Sequence, residues 1–132
     1  MSIHTAIVAK LKATTTVTDL IGSRVYPVSP PHGVTLPYVV YQIISDVQVN
    51  HSTGETETHN ARVQIDCVDD TYSVAWSVAG AIQTALAGWS DSDLKIGSCL
   101  MTSKQDLPKP PDDGGEIYLQ AVTMDFSVWS TA

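Results

Sequence analysis

Apolar residues Ile3, Ala6, Ile7 and Leu11 recur at spacings of three and four, the pattern of one buried helical face with Lys10 and Lys12 turned to water. This predicts an opening helix from Ser2 to about Ala13. The β-branched run Thr14-Thr15-Thr16-Val17 interrupts it, and Thr18-Asp19-Leu20-Ile21 then makes a second short turn or helix that Gly22 stops. Arg24-Val25-Tyr26-Pro27 reads as a brief strand. Pro30-Pro31-His32-Gly33 after it fixes backbone angles and removes amide donors, so that stretch is a stiff surface connection.

Tyr38 to Ile44 is β-branched and aromatic on both faces, the composition of a strand covered on each side and central in its sheet. From His59 to Val68 the period is two: Ala61, Val63, Ile65 and Cys67 share one face, and Arg62, Gln64 and Asp66 share the other. The polar, Gly-containing stretch 46–58 joins these strands, so the two read as a long antiparallel hairpin with its tip near Gly54, projecting beyond the sheet. Such an arm has little core of its own and gains from a neighbour.

Asp69-Asp70-Thr71 offers N-cap oxygens, after which Tyr72, Ala75, Trp76, Ala79, Ile82 and Leu86 mark one helical face until Gly88 ends it. The other side carries Ser73, Ser77, Gly80, Gln83 and Thr84, small or uncharged where a solvated face normally carries Lys and Glu. That side is a candidate for subunit contact. Leu94 to Met101 reads as a third strand, Lys104 to Gly115 as a long loop rich in Pro and Asp, and Glu116 to Trp129 as a last strand with Tyr118, Gln120, Val122, Met124, Phe126 and Val128 on one side. The expected fold is α+β: a single domain spanning 1–132, with a mainly antiparallel sheet of about four strands, two main helices on one face, and the 46–58 arm and the 104–115 loop as projecting segments.

Composition narrows the function. At 132 residues the chain is one domain's worth and can bury roughly two thirds of its unfolded surface. Hydrophobic residues make up 43% and charged residues only 16%, which suggests that some polar surface has been given up to a partner. The formal net charge of −7 disfavours a grip on phosphate backbones or anionic lipid. The N-terminus lacks a charged region followed by an apolar core, and no stretch is long enough to cross a bilayer, so the expected site of synthesis is the cytoplasm. Cys67 and Cys99 lack metal or redox spacing and read as reduced packing residues. Asn50-His51-Ser52 matches a glycosylation acceptor and is read as turn composition.

Candidate chemistry is sparse. Of His4, His32, His51 and His59, a hairpin centred on Glu55 would set His51 opposite His59, yet two imidazoles are only half of a stable zinc site. Gly88-Trp89-Ser90-Asp91-Ser92 approaches a nucleophile elbow but lacks the final Gly. No phosphate-cradling glycine pattern occurs. Asp69-Asp70 and Asp112-Asp113 are carboxylate pairs better explained by helix capping and loop solvation, and the two P-x-x-P stretches, Pro27 to Pro30 and Pro108 to Pro111, by loop stiffening.

Several blocks nevertheless match in order. Leu20-Ile21-Gly22-Ser23-Arg24-Val25-Tyr26-Pro27, then Leu36-Pro37-Tyr38-Val39-Val40-Tyr41-Gln42-Ile43-Ile44-Ser45-Asp46, then Arg62-Val63-Gln64-Ile65-Asp66, then Asp70-Thr71-Tyr72 with Ala75, and finally Phe126-Ser127-Val128-Trp129 resemble the successive blocks of the tail-completion (tail-terminator, or tail-to-head joining) proteins of long-tailed phages and prophages. Cys67-Val68-Asp69 departs from the family, which often carries an aromatic residue there.

The resemblance implies a structural virion protein, made in the host cytoplasm and placed at the head-proximal end of the tail. It implies a homo-oligomeric ring, commonly a hexamer, that caps the major tail-tube protein, ends polymerisation and presents the surface for the head connector or neck protein. DNA passes through without specific binding; no membrane, cofactor, metal or catalysis is implied. On this reading the candidate interface residues are Val49, Asn50, His51, Gly54, Glu55 and Glu57 of the arm, Ser73, Ser77 and Gly80 of the uncharged helix face, and Pro108, Pro110, Asp112 and Asp113 of the loop. The alternatives are a head-completion adaptor of the neck and a small metal-dependent hydrolase using His51, His59 and nearby acids.

Overall fold

The alternation of Ala61, Val63, Ile65 and Cys67, all fully buried, makes β3 (Gly54–Asp69) the spine of the molecule. The computed structural model describes residues 3–51, 54–93, 95–111 and 118–131. Helices α1 (Ile3–Ala13) and α2 (Thr15–Ile21) lead into β1 (Val25–Pro27), β2 (Tyr38–His51) and β3; α3 (Tyr72–Leu86) follows, then β4 (Ile96–Pro111) and β5 (Tyr118–Thr131). The sheet order is β1-β2-β3-β5-β4, with β1 parallel to β2 and every other pair antiparallel. The architecture is therefore α+β as expected, with five strands in a mixed sheet and three helices rather than four strands and two.

The helices cover one face of the sheet. Ala6, Ile7, Leu11, Val17, Ile21 and the stripe Ala75, Val78, Ala79, Ile82 and Leu86 pack with Val39, Val63, Ile65, Met124, Phe126 and Val128 in one core. Burying such side chains supplies about 1.5–3 kcal/mol each before ordering costs. At one end of the opposite face Tyr38, Val40, Val68 and Ala121 form a smaller cluster, covered by Val34 and Leu36 of the Pro-rich connection.

Several expectations change. The break between the first two helices narrows to Thr14, because Thr15 to Val17 are drawn into α2 where Val17 and Ile21 become buried; packing overrides the β-branched preference. Strand β2 is not central: β1 pairs with only Val39, Val40 and Tyr41 of it, so β3 and β5 hold the middle of the sheet. The 104–115 segment continues β4 as far as Pro111, with Asp112 and Asp113 outside the described residues. Prolines are tolerated there because β4 is an edge strand with one unpaired side, and its pairing with β5 shifts register between Pro108 and Pro111.

The start of α3 also differs. Thr71 occupies the N-cap without a side-chain capping bond, and Asp69 Oδ2 instead accepts from the Thr71 amide at 2.8 Å. Burial pushes the Asp69 carboxyl above the usual carboxylate range even though that bond opposes it. Tyr72 leaves the core stripe, Trp76 packs half-buried at its border, and Val78 joins it. The Tyr72 hydroxyl donates to Asp106 at 3.1 Å, the Trp76 indole donates to the same carboxylate at 2.8 Å, and the Lys104 ammonium lies 4.7 Å from the Trp76 ring centre. These contacts fasten α3 to β4.

Cys67 and Cys99 are buried free thiols. Burial raises the Cys67 thiol far above its ordinary range and pushes Cys99 up to about 12, so neither supplies thiolate at neutral pH. A disulfide-exchange reagent at pH 8 is expected to label no thiol in the native protein and both after denaturation; rapid native labelling would contradict the packing.

Candidate functional site

The arm is built by register. Strands β2 and β3 pair from Tyr38↔Val68 out to Asn50↔Glu55 and His51↔Gly54. The third strand stops at Thr58↔Thr131. Beyond that level the ribbon carrying Val49, Asn50, His51, Gly54, Glu55 and Glu57 is, among the described residues, paired only with itself, and an isolated two-stranded ribbon is marginal in water. Its root is tied by the His59 imidazole, 3.3 Å from Asp46. The pairing is not centred on Glu55: His51 faces Gly54 while His59 faces Gln48. The two imidazoles are not opposed. Among the described residues no three His, Cys, Asp or Glu side chains converge where they could hold a metal ion.

Pro108 and Pro110 lie at the other end of the molecule. Strand β4 meets β5 from Ile96↔Ser130, beside the root of the arm, to Pro111↔Tyr118. Strand β5 has 14 residues, about 45 Å of extended chain. The arm and the Pro-rich segment therefore occupy opposite ends of one sheet.

Ser73, Ser77 and Gly80 lie on the side of α3 away from the core. The Ser77 hydroxyl donates to the Ser73 carbonyl at 2.9 Å and the Thr84 hydroxyl to the Gly80 carbonyl at 3.0 Å, so both hydroxyls are satisfied within the helix. Gln83 is not part of a free face, since its amide oxygen accepts from the Lys104 ammonium at 2.8 Å. A Cβ at Gly80 would meet nothing within 4 Å. Gly80→Ala is therefore expected to stabilise the isolated subunit by about 0.5–1 kcal/mol, seen as a Tm raised by about 2–5 °C. Weaker assembly in the same variant would mark close helix approach between subunits.

The sheet face away from the helices carries a polar ladder. Asn60 donates to Ser127 at 2.9 Å, Arg62 to Asp125 at 2.8 Å and Gln64 to Thr123 at 3.0 Å. Where the ladder nears the arm it gives way to exposed Val47, Leu100 and Trp129, with Ile44 at a bulge between Ile43 and Ser45. These residues were not singled out from the sequence. The adjacent pair Ile43-Ile44, two apolar residues where period two asks for one, was the available signal. Ser90, Asp91 and Ser92 of the imperfect elbow line an open concavity of about 470 Å³ with Ile96 and Trp129.

Residues 5–131 match the family described as Tail completion protein gp17. The chain belongs to this family. Its membership makes it a structural protein of the phage virion tail, in agreement with the resemblance carried by the five sequence blocks. Thirty-three chains of solved structures match it. One, from "Virion of native gene transfer agent (GTA) particle", has a TM-score of 0.73 and 16% identity, covering 99% of this chain and 96% of that chain. At that identity the likeness shows a shared fold. No curated protein matches the sequence. The tail-completion assignment concerns structural components rather than enzymes.

Proposed function

We propose that this tail-completion protein forms a ring, a hexamer in the simplest case, that caps the tail tube, ends its polymerisation and presents the surface that receives the head connector. The observation that carries this reading is the separation of two candidate contact segments, the arm and the Pro-rich end of β4, at opposite ends of a single sheet. A terminator must engage one ring below and another above, and this layout supplies a surface for each. Residues Val49, Asn50, His51, Gly54, Glu55 and Glu57 serve one contact, and Pro108, Pro110, Asp112 and Asp113 the other. Ser73, Ser77 and Gly80 face lateral neighbours.

The charge balance suits a conduit. With a net charge of −7, and with Arg62 already engaged by Asp125, the subunit presents little to hold a passing polyanion.

Mixing the purified protein separately with tail tubes and with head connectors tests the reading. Capped tube ends that subsequently capture connectors are expected. Binding to connectors alone would reassign the protein as a head-completion adaptor.

A further inference from the structure

Both long edges of the sheet are open over stretches that complement each other. On β4, the carbonyl of Cys99 accepts from Gly88 at 2.7 Å and Ile96 exchanges bonds with Asp91, so the connection after α3 covers the start of that edge. Prolines at 108, 110 and 111 close its far end to strand addition. Between them, from 100 to 107, no backbone bond from the described residues reaches the outer side. On β2, pairing with β1 ends at Tyr41, and no described strand lies against the outer edge from 42 onward. Proteins ordinarily cover or blunt such edges because they recruit other strands.

We propose that the 100–107 edge of β4 in one copy pairs antiparallel with the outer edge of β2, from Gln42 onward, in a second copy, making one continuous sheet across the subunit boundary. This rests on the ring reading above and names its lateral interface.

Two observations select this occupant. The first is polarity: β2, β3, β5 and β4 alternate in direction, so β2 and β4 run oppositely. A copy in the same orientation, as rotational symmetry requires, therefore continues the antiparallel alternation; the contact is head-to-tail and repeats until it closes.

The second is the exposed apolar residues at these edges. Leu100 is 54% exposed, Val47 58% and Ile44 41%. Leu100 and Val47 share the face opposite the helices, because Leu100 pairs with Ser127 and Val47 with Asn60, and Asn60 and Ser127 are bonded to each other on that face. The ladder Leu100–Ser127–Arg62–Ser45 sets Leu100 level with Ser45. A copy added edge to edge at that level brings Leu100 between Ile44 and Val47 of its neighbour, which explains why these residues are apolar.

Cysteine cross-linking tests the contact. Wild-type protein is first sized in solution and on tail tubes. The double variants Ser45→Cys with Leu100→Cys, and Val47→Cys with Leu100→Cys, are then assembled and oxidised. At least one should give a reducible ladder of covalent multimers ending at the full ring, with no ladder from the single variants. If wild type forms rings and neither pair cross-links, the edge pairing is overturned and the ring reading survives. If wild type neither forms rings nor caps tubes, the ring reading falls and takes the pairing with it. Leu100→Lys should leave the Tm unchanged and weaken subunit association by at least about tenfold; unaltered association in that variant would also overturn the pairing.

Discussion

Removing the arm is expected to abolish capping of tail tubes while leaving a folded subunit. Gln48 pairs directly with His59, so replacing residues 49–58 with Asn-Gly closes β2 onto β3 through a two-residue hairpin turn. Among the described residues the excised ribbon has no third strand beyond the Thr58↔Thr131 pair, and the main core draws on none between Ile43 and Ala61. The shortened protein should therefore melt within about 3 °C of wild type, since surface changes away from the core usually cost less than about 0.5 kcal/mol. Electron microscopy of tubes mixed with it should show uncapped ends. Normal capping by the shortened protein would remove the arm from the tube contact and leave the Pro-rich end of β4 as the remaining candidate. A subunit that no longer folds would show that the ribbon stabilises the sheet, contrary to its register.

The second large effect concerns the core. Phe126 is 1% exposed and lies between Val63 on β3 and Met101 on β4, within the cluster that receives α3. Phe126→Ala removes the largest fully buried side chain of the molecule's described part and leaves a cavity that stiff strands on both sides cannot collapse. The expected loss is about 3–5 kcal/mol, a large share of the roughly 5–15 kcal/mol that holds a domain together. Thermal melting should fall by about 10–20 °C, with denaturant midpoints falling in proportion. A loss below about 1 kcal/mol would mean that the helix layer and the sheet do not share one core. Because assembly adds stability by mass action, the measurement belongs on the dissociated subunit.

Much of this was legible along the chain. The i, i+3, i+4 spacing of Ile3, Ala6, Ile7 and Leu11 corresponds to α1, whose buried residues are Ala6, Ile7 and Leu11. The strict alternation from Ala61 to Cys67 corresponds to the buried face of β3. Both are local patterns in which burial of one face is the only strong demand. The hairpin arm could be read because polar, Gly-containing sequence between two good strands has few other outcomes. The prolines of 108–111 misled: proline argues against a strand only where a ladder bond would be lost, and whether β4 is at an edge is decided by the order of strands, not by the residues of β4. Tyr72 misled for a similar reason. Its spacing suits the core stripe, but Asp106, 34 residues further on, accepts from its hydroxyl and Tyr72 stays exposed, while Trp76, bonded to the same carboxylate, packs at the border of the core.

The candidate contact surfaces divide in the same way. The arm, the uncharged side of α3 and the Pro-rich segment were visible as compositional departures. Their placement at opposite ends of a 14-residue strand was not, and neither was the level relation among Leu100, Ser45 and Val47.

By itself the sequence determined most of the elements, the buried faces of α1 and β3, the acidic charge and the family, because periodicity, composition and short ordered blocks are properties of neighbours along the chain. Only the tertiary structure decided that β3 and β5 hold the centre, that two open edges run in opposite directions, and that exposed apolar residues meet those edges on one face. Strand order and register are set by pairings between residues tens of positions apart, where many arrangements satisfy the same local pattern and the packing of the whole core selects among them.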